Sequence, residues 1–200
     1  MSLAWAPERI EGGTLVTEPE FELDAFLPAK SVHDDIQGWI DGGWQERSLI
    51  LCGDPGVGKT EFGCALMHKV APSGTFHFIN KLDRVRDIVF CPGQGLVVDE
   101  ACFWCKDVDD LKGLLYPKKG ADVACRNKDG FIPRGVPRIF STNWSWDEFW
   151  PPAASKRKHA GAIDRRVVWV DVTHDIRQPE RIWCAGFWLL HVRGCDFYDV

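Results

Sequence analysis

Short, nearly continuous apolar runs alternate along this chain with stretches whose apolar residues recur every three or four positions. The runs are residues 48–52, 75–79, 95–99, 136–141 and 167–172, each with a Gly or charged residue on at least one side. Runs this short and this apolar suit strands buried on both faces, as in a parallel sheet. Between them, Val32, Ile36, Trp39 and Ile40 keep helical spacing after a capping Ser31, with Asp34 in the first turn and Gly42-Gly43 at the end. Phe62, Ala65, Leu66 and Val70 mark a second helix, closed by Pro72 and Gly74. Leu111, Leu114 and Leu115 mark a third, capped near Asp107. Strands alternating with helices predict a three-layer α/β fold with a central parallel sheet. Residues 1–30 are rich in Gly, Pro and Glu without sustained periodicity and read as an extended arm or loops. The expected organisation is an N-terminal arm with a short helical segment over 1–47, a core over 48–172 and a C-terminal extension over 173–200.

Composition narrows the classes. With 200 residues, 45% hydrophobic and 26% charged, the chain is globular and long enough for one sizeable core. The net charge of −5 removes any general attraction for nucleic acid, so such contact needs a local basic patch. No apolar run reaches the 18 or so residues of a membrane span, and no membrane partner is expected. The N-terminus lacks the basic start and apolar stretch of a signal peptide. The eight Cys are accordingly expected as reduced thiols in the cytoplasm or nucleus. Cys52, Cys64, Cys91 and Cys125 stand singly among apolar neighbours. Cys102 and Cys105 have CxxC spacing but no second close Cys or His pair, since Cys184, Cys195, His174 and His191 are scattered. That disfavours structural zinc, and the absence of a βαβ context disfavours redox chemistry.

One motif carries explicit chemistry. Gly53, Asp54, Pro55, Gly56, Val57, Gly58, Lys59 and Thr60 match G-x4-G-K-[ST] in full, directly after one predicted strand and before one predicted helix. The glycines let backbone N–H groups turn inward around a β-phosphate at a helix N-terminus. Lys59 is expected to reach the β- and γ-phosphates, and the Thr60 hydroxyl to ligate Mg²⁺. Downstream, Leu96-Val97-Val98-Asp99-Glu100 fits a Walker B strand: Asp99 holds the magnesium through water and Glu100 polarises the attacking water. The strand through Phe140 ends in Ser141-Thr142-Asn143, with Asn143 the candidate γ-phosphate sensor. Ahead of the last strand, Arg165 and Arg166 are candidate arginine fingers for a neighbouring subunit. The stretch 117–138 carries Lys118, Lys119, Arg126, Lys128, Arg134 and Arg138 against Asp122 and Asp129. With Asp129-Gly130 as a turn signal, it reads as a basic hairpin suited to phosphates.

The order of P-loop, Val-Val-Asp-Glu, Asp-Asp-Leu-Lys-Gly-Leu-Leu-Tyr-Pro, basic turn, Phe-Ser-Thr-Asn and Asp-Arg-Arg-Val resembles superfamily 3 helicase domains. Within these it is most similar to replication-associated (Rep) proteins of circular single-stranded DNA viruses and their genomic relatives, over about residues 49–172. The resemblance implies an ATPase that uses ATP and Mg²⁺ and assembles into a homo-oligomeric, usually hexameric, ring moving on single-stranded DNA. It maps the phosphate-binding lysine to Lys59, the acidic pair to Asp99 and Glu100, the motif C asparagine to Asn143 and the finger to Arg165 or Arg166. The candidate DNA contacts, read from the charge of the basic hairpin, are Lys118, Lys119, Arg126 and Lys128. Several features depart from the pattern. No His-hydrophobic-His triplet is present, and Tyr116 and Tyr198 are the only tyrosines, so nicking activity is not expected. The acidic pair is Asp-Glu rather than two Asp, residues 151–158 read as an inserted loop, and the segment before the P-loop is short for an oligomerisation domain. The alternatives are an AAA+ helicase loader, a small nucleoside kinase (disfavoured by Glu100 and Asn143) and a non-enzymatic nucleotide-dependent adaptor.

Overall fold

The computed structural model describes residues 9–10, 13–154 and 157–178. The expected extension beyond residue 178, with Cys184, His191, Cys195 and Tyr198, lies outside the described residues, as do the start of the arm and residues 155–156 of the expected insertion.

In chain order the strands and α-helices are β1 (Arg9–Ile10), β2 (Gly13–Val16), α1 (Ala29–Val32), α2 (Asp34–Ile40), β3 (Ser48–Gly53), α3 (Lys59–Val70), β4 (Phe76–Ile79), β5 (Gly95–Val98), α4 (Val108–Leu114), β6 (Ala121–Val123), β7 (Gly130–Ile132), β8 (Arg138–Thr142), α5 (Trp146–Phe149), α6 (Arg157–Asp164) and β9 (Val167–Val172). The main sheet has the order β1-β2-β4-β5-β8-β3-β9. Its pairings from β4 to β9 are parallel, and β2 joins β4 antiparallel at the outer edge. The five predicted apolar runs are these five parallel strands, shifted by two residues at most.

Why the runs are apolar without alternation follows from the layers. Leu49, Leu51, Val97, Ile139, Val168 and Val170 pack on one face, with Phe62, Leu66 and Met67 of α3 and with Ile36 and Trp39 of α2. Ile50, Leu96, Val98, Phe140 and Val167 pack on the other, with Leu111 and Leu114 of α4 and Phe149 of α5. Neighbouring strand residues point to opposite faces, so a sheet covered on both needs every position apolar. This is the three-layer α/β fold. Each fully buried Leu, Ile or Phe contributes about 1.5–3 kcal/mol relative to exposure.

Several local features differ from the sequence reading. The cap of α2 is His33, whose Nδ1 accepts from Asp35 N at 3.1 Å, while Ser31 Oγ donates to Pro28 O at 2.6 Å inside the preceding turn. Residues 13–16 form a strand rather than a loop, because Thr14, Leu15 and Val16 pair with β4 on one side while β1 pairs with the other. Asp129-Gly130 is not the hairpin tip: residues 124–129 form the loop, and Gly130 opens β7. There a Cβ would stand 2.7 Å from Arg86 N and 2.8 Å from the Val85 carbonyl carbon, so Gly130 is set by close packing. In the stretch read as an insertion, Ala154 is buried against the core, as is Trp150 just before it.

Arg138 also departs from its expected place in the basic patch. It is fully buried at the start of β8 and donates to Gly113 O at 3.1 Å, Leu114 O at 2.5 Å and Lys119 O at 3.1 Å. Leu114 O lies in the last turn of α4, where carbonyls lack helical partners, while Gly113 O also accepts from Tyr116 N at 3.2 Å. Burial pulls its pKa down to about 10.

Candidate nucleotide site

The P-loop leaves β3 at Gly53 and enters α3 at Lys59. Gly53 lies so close to β9 that a Cβ would stand 2.2 Å from Val172 O. Gly58 caps α3 with φ 89°, a left-handed conformation that glycine alone adopts freely. The loop thereby presents the N-terminus of a twelve-residue helix, where free N–H groups and the helix dipole favour an anion. Lys59 is buried, and its Nζ donates to Gly53 O at 2.9 Å and Asp54 O at 2.7 Å. Burial lowers its pKa, and nearby negative groups, Asp99 and Asp54 among them, oppose the shift.

Asp99 follows directly after β5 and faces the loop. Its Oδ1 accepts from Thr60 Oγ1 at 2.7 Å and from Ser141 Oγ at short range. The residue after it, Glu100, is exposed and adopts φ 49°, uncommon for a non-glycine residue and frequent where function dictates conformation. The chain around Glu100 is pinned: Ala101 N donates to Ser141 O at 2.8 Å and Phe103 N to Phe149 O at 3.1 Å. Phe103 is fully buried, with ring centroids 4.7 Å from Phe149 and 5.2 Å from Phe140. Strand β8 runs between β3 and β5, which brings Ser141, Thr142 and Asn143 beside Asp99. A cleft of about 180 Å³ is lined by Gly56, Gly58, Lys59, Thr60, Asp99, Glu100, Ser141 and Asn143, among others.

The structure therefore gathers Lys59, Thr60, Asp99, Glu100 and Asn143 in one cleft. The Thr60 hydroxyl and Asp99 carboxylate are adjacent hard oxygen donors, the set that fits Mg²⁺. Ser141 was not singled out by the sequence, although a hydroxyl inside an apolar strand is a readable signal. Arg165 and Arg166 are not brought to the cleft. They precede β9, whose Val167 pairs with Ser48, so they stand at the N-terminal edge of the sheet. The cleft lies at the C-terminal edge, roughly six residues or about 20 Å away. Arg166 is occupied there: its guanidinium lies 5.2 Å above the Tyr116 ring and donates to Ala162 O. Arg165 is exposed.

The hairpin β6–β7 exposes Lys119, Arg126, Lys128 and Arg134. Lys118 is drawn away to Glu46, with Nζ 2.6 Å from Oε1, a pairing that raises the lysine pKa and lowers that of the carboxylate. Arg86 Nη1 donates to Arg126 O at 2.6 Å and Lys106 Nζ to Ala124 O at 3.2 Å, which ties the hairpin loop to the segments following β4 and β5. Cys102 and Cys105 are both exposed, and no cluster of three or more His, Cys, Asp or Glu gathers among the described residues. No helix among them is long and apolar enough to cross a membrane.

No family model matches this chain, and no curated protein does. Among solved structures, it is similar to NtrX from Brucella abortus in complex with ADP, at 12% identity and a TM-score of 0.44, over 76% of this chain and 38% of that one. The same protein in complex with ATP gives 13% identity and a TM-score of 0.41, over 71% and 37%. A P216G mutant of RuvB from Thermotoga maritima gives 15% identity and a TM-score of 0.46, over 76% and 48%. The chain thus spans less than half the length of each of these proteins.

Proposed function

We propose that this chain is an ATP-hydrolysing domain of superfamily 3 type, which couples hydrolysis to movement on single-stranded DNA as part of a homo-oligomeric ring. The observation that carries the reading is the place of β8 between β3 and β5. That order sets a polar strand tip beside the Walker acids, where a γ-phosphate and an attacking water meet. In this reading Val57, Gly58 and the first turn of α3 hold the phosphates with backbone N–H groups. Lys59 leaves its two loop carbonyls to contact the β/γ bridge. Thr60 and Asp99 would hold a magnesium ion, which neutralises charge on the phosphates when bound. Ser141 orients Asp99 by donating to it. Glu100 takes a proton from the attacking water, and Asn143 orients that water toward the γ-phosphate.

The reading is tested by ATP turnover with and without single-stranded DNA. Lys59→Ala should nearly abolish hydrolysis. Glu100→Gln should keep nucleotide binding and slow turnover by roughly 10²-fold or more, the range for losing general-base help. Turnover at the parent rate in Glu100→Gln removes that role. Turnover indifferent to DNA at every length and salt concentration removes the helicase reading and leaves a plain ATPase.

A further inference from the structure

Beyond β9 the chain turns back over the phosphate loop and clasps it from outside. Arg177 Nη2 donates to Gly56 O at 2.7 Å, and Ile176 N donates to Val57 O at 3.3 Å. The guanidinium is itself held by Asp175, with Nε 2.9 Å from Oδ1 and Nη2 2.7 Å from Oδ2. The arginine stem runs across Gly58, where a Cβ would stand 3.2 Å from Arg177 Cγ. On its other side the same segment is tied to the N-terminal region. Leu27 N donates to Ile176 O at 2.8 Å, Gln178 N to Ala25 O at 2.9 Å, and the Gln178 side-chain amide to Phe26 O at 2.7 Å. Ile176 and Phe26 are buried at 0% and 1% exposure, so the strap has a fixed base.

The geometry of the peptide bond gives these ties a consequence. In a planar trans peptide the carbonyl and the following N–H point in opposite directions. Holding Gly56 O on the outside of the loop therefore turns Val57 N–H inward, and holding Val57 O turns Gly58 N–H inward. Those N–H groups are what a phosphate loop offers an anion. The ties that Lys59 makes to Gly53 O and Asp54 O come from within and are given up when the lysine turns to a phosphate. The strap's ties need not be.

We infer that Arg177, braced by Asp175, is a positioning residue that sets the phosphate loop's N–H groups for the β-phosphate of a nucleotide. The inference rests on the nucleotide-binding reading above. Because the brace acts on the loop and not on the transferring phosphoryl group, it serves diphosphate and triphosphate alike. Its loss is a loss of uniform binding, which raises KM and leaves kcat in place.

The experiment is a titration of the intact protein with fluorescent ADP and with a fluorescent nonhydrolysable ATP analogue, both with Mg²⁺, alongside steady-state ATP turnover and thermal melts. Arg177→Ala should weaken both nucleotides by a similar factor of about tenfold, the scale of one hydrogen bond from a charged donor at a partly exposed site. It should raise KM by the same factor and hold kcat within about twofold. Arg177→Lys keeps a donor for Gly56 O without the fork on Asp175 and should fall between parent and alanine variant. Asp175→Asn should show a smaller loss of the same kind. If Arg177→Ala melts below the assay temperature, the lysine and asparagine variants decide. Affinities within twofold of the parent in all three variants overturn the inference. A loss confined to the triphosphate, with kcat falling, also overturns it. If the parent binds neither nucleotide, the nucleotide reading itself fails.

Discussion

His77 shows how a single side chain can carry a pH dependence into the fold. It lies on β4 at 7% exposure, its Nε2 3.0 Å from Gln94 Oε1 and its ring 5.1 Å from that of Phe90. Gln94 Oε1 also accepts from Cys91 N at 2.7 Å, so it acts as acceptor toward both groups and His77 Nε2 carries the hydrogen between them. Burial lowers the His77 pKa below its usual 6.5, and the bond to Gln94 opposes this in part. Between the unfolded and folded values, the unfolded chain holds a proton that the folded chain does not. Stability is therefore complete above about pH 6.5 and declines as pH falls below it. Melting temperature measured from pH 7.5 to 5 should drop on the acid side in the parent, and His77→Gln should flatten that drop. An equal slope in both proteins would assign the acid sensitivity elsewhere. Ser141, through Asp99, and the two Nη groups of Arg138, through backbone carbonyls, follow the same rule as His77: a buried polar group is held by partners. None of the three was legible as such, since a sequence names the side chain and not what it meets.

At the scale of elements, the basic hairpin is the part most dependent on its surroundings. Strands β6 and β7 have three residues each, too short to stand as an isolated two-stranded ribbon. They are held by α4, by the 3-10 turn Leu82–Asp87 and by the hydrogen bonds from Arg86 and Lys106 to the loop. Phe131 remains 54% exposed on the hairpin's outer face, between Lys119 and Arg134 in the chain. If the hairpin lies along single-stranded DNA, neutralising Lys119, Arg126 and Lys128 should weaken binding about equally for all sequences. The slope of log affinity against log salt should shrink by about 0.7 for each phosphate that the hairpin no longer neutralises. Neutralising Lys118 should do little, because Glu46 already occupies it. Binding measured by fluorescence anisotropy between 50 and 300 mM salt, roughly, separates the cases. An unchanged slope in the triple variant would make the hairpin a solvated loop.

For the whole molecule, the parallel sheet sets the question of assembly. Its C-terminal edge carries the cleft and its N-terminal edge carries Arg165, so an arginine finger from this position can serve only a neighbouring subunit. Arg166, stacked on Tyr116 and bound to Ala162 O, is the less available of the two. In the ring reading, specific ATPase activity should rise with protein concentration. Arg165→Ala should bind ATP but hydrolyse it slowly, by roughly 10³-fold if the finger acts as in-trans arginines do. Mixed with Lys59→Ala, which lacks its own site but keeps its arginine, it should regain part of the activity. A mixture as inactive as its components, with subunit exchange demonstrated, would remove the finger. So would activity per subunit that stays flat from nanomolar to micromolar protein.

The five parallel strands, the glycine-rich loop between β3 and α3 and the acids that follow β5 were legible in the sequence alone. Each is a local signal: an apolar run, a glycine spacing, an acid at a strand end. The three-layer class followed from their alternation. The order of strands came only with the tertiary structure, because β8 enters between β3 and β5 through pairings far apart in the chain. That placement joins Ser141 to Asp99 and turns separate motifs into one cleft. Tertiary structure also took Arg138 out of the basic patch, bound Lys118 to Glu46 and moved the hairpin tip away from Gly130. It laid Arg177 against Gly56, 121 residues earlier in the chain. Local periodicity records which face a residue turns toward a core. It holds no record of which distant carbonyl, carboxylate or backbone will be waiting there.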